Sequence, residues 1–432
     1  MNRRTDVAVI GGGPAGLAAA AAARAAGAAV TILERDFALG GILSQCIHDG
    51  FGLHLFGERL TGPEYAQRFV DRVRTAGVEA LLETMVLSVS SAPSGELTVE
   101  ALNSRDGSIE LACGAVVLAM GCRERTRAQI MIPGDRPAGV YTAGTAQRFV
   151  NIDGLMPGRR IVILGSGDVG LIMARRLTLE GASVVGVYEI LPQPNGLTRN
   201  VVQCLDDYGI PLHLSHTVVD IHGRDRLEAV TVARVDERLQ PVPGTEERVA
   251  CDTLILSVGL IPENELSRAA GAAIDPATRG PVVDDRFATS VPGLYACGNV
   301  VHVHDLVDYV SLSAEVAGRA AAERALAFRA GVAADDTPTL PVTAGDGVAY
   351  VVPQRVRPGA PVTFYLRVRR PLRNARVTCT CGAEQLAAKR ERVLRPPEMV
   401  TLAVPAGDWG RDAAGVVLTA SEATAGRSEG GD

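Results

Sequence analysis

Lysine is nearly missing from this chain: Lys389 is the only one among 43 basic residues. Arginine carries the positive charge, and 49 acidic residues outweigh it to leave a net charge of -6 and a pI near 5.8. That balance excludes a surface built to coat nucleic acid or an anionic membrane. Long apolar runs are missing too. The alanine-rich stretch from Leu17 to Val30 has the look of a signal segment, but it directly follows a glycine loop, contains Arg24 and is too short to span a bilayer, so a cytoplasmic protein without a membrane span is expected. Cysteine is present but never in a CxxC: the eight thiols stand at 46, 113, 122, 204, 251, 297, 379 and 381. This spacing excludes a zinc ribbon, an iron–sulphur cluster and a CxxC dithiol, and no metal site is expected. The nearest pair, Cys379 and Cys381, lies two apart on a strand-like run, with Cα atoms roughly 6.5–7 Å apart. Two core thiols is the reading there, with a CxC metal or redox pair as its rival.

Glycine is plentiful, at 47 residues, and it is concentrated where chemistry needs it. Gly11-Gly12-Gly13-Pro14-Ala15-Gly16 follows the strand-like Val7-Ala8-Val9-Ile10, and Gly165-Ser166-Gly167-Asp168-Val169-Gly170 follows Ile161-Val162-Ile163-Leu164. In each GxGxxG the first glycine allows a tight turn and the second lets backbone approach a pyrophosphate. The third packs helix on strand, which leaves helix N–H groups facing the phosphates. An acid follows each at the expected distance: Glu34 ends Val30-Thr31-Ile32-Leu33, and Glu189 ends Ser183-Val184-Val185-Gly186-Val187-Tyr188. A carboxylate there binds ribose hydroxyls and repels a 2′-phosphate, so NAD(H) is favoured over NADP(H) at the second unit. Two dinucleotides on one chain imply electron movement between them.

The surrounding pattern predicts an α/β chain of two Rossmann-like dinucleotide-binding domains plus a small C-terminal β-sandwich-like domain. Strand and helix patterns alternate to about Val117, and again from Gly158 to Gly259. A helix is predicted over Val307 to Arg329. Residues 331–347 read as a polar linker, because beyond them the period changes to two: Val362, Phe364, Leu366 and Val368 alternate with Thr363, Tyr365, Arg367 and Arg369. The β domain is placed at 348–420 and a frayed tail at 421–432.

In the order of these motifs the chain resembles the pyridine nucleotide–disulphide oxidoreductase superfamily. The resemblance implies FAD at the first unit and a nicotinamide nucleotide at the second. It further implies an FAD domain split between 1–118 and 283–330, with the NAD-binding domain at 119–282. Gly11, Gly13, Pro14, Ala15, Gly16, Glu34, Arg35, Gly41, Gly121, Gly298 and Asn299 are then the FAD-binding candidates. Gly165, Gly167, Asp168, Val169, Gly170, Glu189 and Gly259 are the candidates for NAD(H). Asn299 stands in Ala296-Cys297-Gly298-Asn299 where the family has an aspartate for the flavin ribityl chain. The dithiol does not carry over: Gly40-Gly41-Ile42-Leu43-Ser44-Gln45-Cys46 offers one cysteine, and Tyr141-Thr142-Ala143-Gly144-Thr145-Ala146 offers none.

Residues 40–52, 60–66, 196–200 and 298–308 resemble a smaller branch of that superfamily. Its members accompany a glycerol-3-phosphate-dehydrogenase-like flavoprotein and a small cysteine-containing protein. This implies an electron-transfer subunit with those partners, in which the β domain is a docking surface; a homo-oligomer is also compatible. The catalytic candidates are Cys46, as a thiol lining the flavin or as the redox thiol of a self-contained NADH oxidase or peroxidase, and the imidazoles of His48, His302 and His304. The histidines are read as proton donors near reduced flavin or as loop residues.

Overall fold

The computed structural model describes residues 1–333, 337–407, 409 and 414–422, in two compact units. One comprises 1–44, 48–122 and the chain from 262 onward; the other comprises 45–47 and 123–261.

The first unit is organised by one strand, Gly107–Leu118, that does two jobs. Its first half alternates exposed and buried residues (Ser108, Ile109, Glu110, Leu111) and pairs antiparallel with Leu97–Asn103, which in turn pairs with Thr84–Ser91. Its second half, Cys113 to Leu118, is buried throughout, as a strand covered on both faces must be. There it runs parallel to Asn2–Ile10 and Leu294–Ala296. Val30–Leu33 and Glu79–Leu81 extend the parallel part beyond Asn2–Ile10. The helices Pro14–Ala25 and Val307–Arg329 cover this sheet and lie against each other through small residues. Gly318 touches backbone: a Cβ there would fall on the carbonyl of Ala19.

The C-terminal β domain belongs to this same unit. Its five-stranded sheet runs Arg355–Val356, Leu340–Ala344, Val416–Glu422, Leu372–Cys381, Glu384–Leu394. A three-stranded sheet of Val348–Val352, Val362–Val368 and Val400–Val404 shares with it one core containing Phe364, Leu366, Val377, Cys379, Cys381, Trp409 and Leu418. Cys379 and Cys381 are thus buried core thiols. The linker is shorter than the expected 331–347, because Leu340–Ala344 is already a strand with Val342 in the core; Pro341 hides its alternation in the sequence. Residues 421 and 422 of the expected tail end the strand Val416–Glu422, and 423–432 lie outside the described residues.

The second unit holds a five-stranded parallel sheet, ordered Val140–Thr142, Thr253–Leu256, Arg160–Leu164, Ser183–Glu189, Leu212–Leu214. A three-stranded antiparallel sheet of His216–His222, Ala229–Arg234 and Glu247–Ala250 accompanies it. Its limits are narrower than the expected 119–282, since 262–282 groups with the first unit. One tie is long in sequence: Asn264 Nδ2 donates to the carbonyl of Val300 at 3.0 Å, as well as to that of Arg279 at 2.9 Å. Among the described residues no helix is long and apolar enough to cross a membrane.

The helix crossing makes the first prediction. Gly318→Val forces a branched side chain onto the Ala19 backbone and should destabilise the protein by about 1–3 kcal/mol, read as a lower urea midpoint with unchanged slope.

Candidate functional site

Each fingerprint sits between the C-terminal end of a parallel strand and the start of a helix. At the first, Gly11 has φ of 105° and lies so close to the neighbouring strand end that a Cβ would stand 2.5 Å from the Ala119 carbonyl. Gly13 caps the helix Pro14–Ala25 with no side chain, and Pro14, which has no N–H to leave unsatisfied, opens it. The helix N-terminus is thereby left as bare backbone donors with the positive end of its dipole. Two distant segments close around it. A Cβ on Gly41 would be 2.8 Å from Gly13 Cα, and one on Gly298 would be 2.7 Å from Ala15 Cβ. Gly121, at φ of 75°, has open space where its side chain would be.

Glu34 is buried, at 7% exposure, and is held by backbone: Oε2 accepts from Gly12 N at 2.6 Å and Oε1 from Asp36 N at 2.8 Å. Arg35 beside it is exposed. The second unit repeats the device residue for residue. Glu189, 4% exposed, accepts from Ser166 N at 2.8 Å and from Leu191 N at 3.0 Å. Such charge-assisted bonds keep a buried carboxylate in place and leave its remaining lone pairs for ribose hydroxyls.

The second fingerprint then departs from the first. Ser166 Oγ donates to Glu189 at 2.6 Å and accepts from Asn195 N at 2.8 Å. Asp168, at the first turn of helix Asp168–Leu179, accepts from Leu197 N at 2.8 Å and Asn200 Nδ2 at 2.7 Å. So Asp168, a cofactor-binding candidate, is committed to holding the 195–200 segment against the loop. Val169 is half-buried in the same turn. Gly165 and Gly170 pack on Ser257, and a Cβ on Gly170 would lie 2.5 Å from Ser257 Cβ. Gly259, two residues on, has the Arg125 side chain within 3.8 Å of its missing Cβ.

The late motif gathers a group that no spacing in the sequence announces. Asn299 Oδ1 accepts from His304 N at 3.0 Å and His304 Nδ1 at 3.2 Å, and its Nδ2 reaches Cys122 Sγ at 3.6 Å. His302 and His304 are buried, at 1% and 8% exposure, with ring centroids 4.1 Å apart. Among the described residues, both nitrogens of His302 and Nε2 of His304 have no hydrogen-bond partner. Burial and the neighbouring positive charge of Arg367 hold His302 well below the usual imidazole range, and burial takes His304 down to about 3. Both rings are thus buried and not exposed on a loop. Asp305 is taken by Arg367 and by Met399 N, so the 302–305 run has no free carboxylate to offer a metal. Among the described residues no three His, Cys, Asp or Glu side chains converge on a metal site.

Cys46 lies elsewhere. With Gln45 and Ile47 it belongs to the second unit, anchored where Gln45 Nε2 donates to Gly144 O at 2.9 Å and to Gln147 Oε1 at 3.1 Å. The Cys46 thiol points at Gln147 Oε1, 3.7 Å away, and burial pushes it up to about 12. A thiol so placed is protonated at neutral pH and a poor nucleophile. His48 Nδ1 donates to the Asp49 carbonyl, 3.0 Å away, and its ring lies 4.9 Å from Phe51.

A family model described as pyridine nucleotide-disulphide oxidoreductase matches residues 5–323, and the chain belongs to that family. It is an FAD- and NAD(P)-dependent oxidoreductase. Among curated relatives, hydrogen cyanide synthase subunit HcnB of Pseudomonas protegens is 28% identical over 61% of this chain, and the match spans 58% of HcnB. The glutamate synthase [NADPH] small chain of Mycobacterium tuberculosis is 27% identical over 78% of this chain and 70% of its own. The ferredoxin reductase component of chlorobenzene dioxygenase from Cupriavidus sp. is 30% identical over 68% and 67%. Thioredoxin reductase from Lactococcus lactis shares the fold with a TM-score of 0.62 at 21% identity, covering 74% of this chain and 99% of that one. The residues present fit FAD at the first fingerprint, where the glycine cradle admits backbone-close phosphates.

The depressed imidazoles set an acid response. Neutral when folded but titrating near 6.5 when unfolded, they leave stability unchanged above about pH 7 and remove it as pH falls from 6.5 toward 3. Urea midpoints of the apoprotein at pH 7 and pH 5 should therefore differ more for the native chain than for His302→Phe/His304→Phe.

Proposed function

We propose that this chain is an NAD(H)-linked electron-transfer subunit whose electrons go to or come from a partner dehydrogenase. The observation that carries it is the repeated dinucleotide device without a dithiol beside it. Backbone N–H groups at the starts of helices Pro14–Ala25 and Asp168–Leu179 bind the pyrophosphates, and Glu34 and Glu189 orient the ribose hydroxyls. When bound, the two cofactors supply hydride transfer between nicotinamide and flavin, and the protein contributes position and electrostatics. Glu189 makes NAD(H) the second nucleotide, since a buried carboxylate repels a 2′-phosphate. With no dithiol station, the electrons need an acceptor outside this chain. Relatives named as a subunit, a small chain and a ferredoxin reductase component support that reading, as does the branch likeness, with its flavoprotein dehydrogenase and small cysteine-containing protein.

The geometry of Cys46 weighs against a self-contained peroxidase, which needs a thiolate.

Anaerobic NADH should bleach the flavin of the reconstituted protein, and a flavin left unbleached would sink the proposal. Cys46→Ser should bleach within about twofold of the native rate, whereas dependence on the thiol would favour the oxidase. Glu189→Gln should lower the NADH over NADPH preference in kcat/KM about tenfold, measured by flavin reduction with each nucleotide.

A further inference from the structure

The C-terminal β domain is basic on a chain that is acidic overall. Residues 340–422 carry twelve arginine and lysine side chains against seven carboxylates, while the whole chain has a net charge of -6. The excess gathers at one end of the hairpin formed by Leu372–Cys381 and Glu384–Leu394, whose second strand is the outer edge of the five-stranded sheet. Arg369, Arg370 and Arg373 are exposed at the entry to its first strand, and Arg390 and Arg392 are exposed on its second. The register brings the two groups together: Arg376 lies directly opposite Arg390, and Arg373 opposite Val393. Val377, Cys379 and Cys381 fill the core, so Arg376, Thr378 and Thr380 take the outer face.

This arrangement works against the stability of the sheet. Like charges directly opposite each other across a strand pair repel, and the carboxylates nearby are engaged elsewhere. Glu391 pairs with Lys389 at 2.8 Å, Glu398 pairs with Arg395 at 3.2 Å, and Glu422 accepts the Arg373 backbone N–H at 3.0 Å. Among the described residues no carboxylate forms an ion pair with Arg369, Arg370, Arg373, Arg390 or Arg392. Charges that only guard an edge strand against pairing need that strand alone and can be of either sign. Here all five share one sign, and three of them lie off the edge strand.

The patch is also held in place. Arg367, two residues before Arg369, pairs with Asp305 and donates to the Val303 carbonyl at 3.2 Å, and Met399 N donates to the second oxygen of Asp305. Both charged side chains are largely buried, at 17% and 14% exposure, so the pair is a fixed joint and not a surface contact. It fastens the basic end of the domain to the segment between Gly298 and the helix Val307–Arg329, in the unit that carries the first fingerprint.

We infer that this arginine-rich end of the C-terminal sheet docks the acidic face of a protein electron carrier. This rests on reading the chain as an electron-transfer subunit. A fixed patch of unpaired guanidinium groups steers an oppositely charged protein into contact and sets its orientation. The acidic remainder of the chain repels an extended polyanion such as nucleic acid, which leaves a compact acidic surface as the fit. The patch lies outside the family match, which ends at 323.

The test uses the full-length protein reconstituted with FAD and reduced by NADH, with two carriers of similar driving force and opposite charge. One is plant plastocyanin, a small acidic copper protein; the other is cytochrome c, which is basic. With plastocyanin, one NADH and two Cu(II) centres give NAD+, two Cu(I) centres and one proton. At low salt plastocyanin should be reduced about tenfold faster than cytochrome c, and the advantage should vanish by about 0.5 M salt. Arg390→Glu combined with Arg392→Glu should remove the advantage at low salt, while NADH bleaches the flavin at the native rate. Because Arg390→Glu sets an opposite charge across from Arg376, this variant should melt no lower than the native protein. Arg369→Gln combined with Arg370→Gln, off the edge strand, should cut the advantage about threefold and carries the same readout if the first variant fails to purify. Equal rates with both carriers at low salt, or a native advantage in the variants, would overturn the inference. So would binding of duplex DNA at physiological salt that the variants abolish. A flavin that NADH leaves unbleached would instead remove the electron-transfer reading itself.

Discussion

A buried glutamate that ties a glycine loop to the end of the neighbouring strand is the interaction on which the rest of this structure depends, and it occurs twice. Glu34 and Glu189 each accept the N–H of the second residue of their fingerprint and the N–H two residues beyond themselves. A lone side chain of this kind would be costly in so dry a place, and two hydrogen bonds from fixed backbone donors hold it there. The consequence is positional. The loop is tied to the strand, and the helix N-terminus and the acid are fixed relative to each other.

The two sites diverge in what surrounds this shared tie. At the first, glycines from 40–41 and 298 close in with backbone alone, so the cradle is narrow and neutral. At the second, Ser166 and Asp168 spend their side chains on the 195–200 segment, which fixes a polar wall beside the loop. One motif thus serves two unequal environments, as two cofactors of different bulk and chemistry require.

Much of this was legible in the residues because its causes are local. Two glycine turns after apolar strands, each followed by an acid at the end of the next strand, impose their geometry within some 25 residues, and the helix Val307–Arg329 showed itself through small residues at helical spacing. Where local pattern was masked, the reading slipped: Pro341 concealed the strand Leu340–Ala344, and Asn264 ties 262–282 to the first unit through a hydrogen bond to the Val300 carbonyl, far along the chain. The histidines were legible as candidates but not in their state. Their burial beneath Tyr350, Tyr365 and Arg367 depends on a domain that begins some 35 residues later.

By itself, then, the sequence determined the two-dinucleotide plan, the acid that closes each strand after a glycine turn and the absence of a CxxC dithiol, because each depends on residues joined by a single strand–turn–helix. Only the tertiary structure decided that the Cys46 thiol packs against Gln147, that three imidazole nitrogens of His302 and His304 are buried with no partner among the described residues, and that the C-terminal sheets are fastened to the late motif through Arg367 and Asp305. Those outcomes are set by desolvation and by partners tens to hundreds of residues away. A side chain's type fixes what it can donate or accept, but what is left for it to bond is known only once the chain has closed around it.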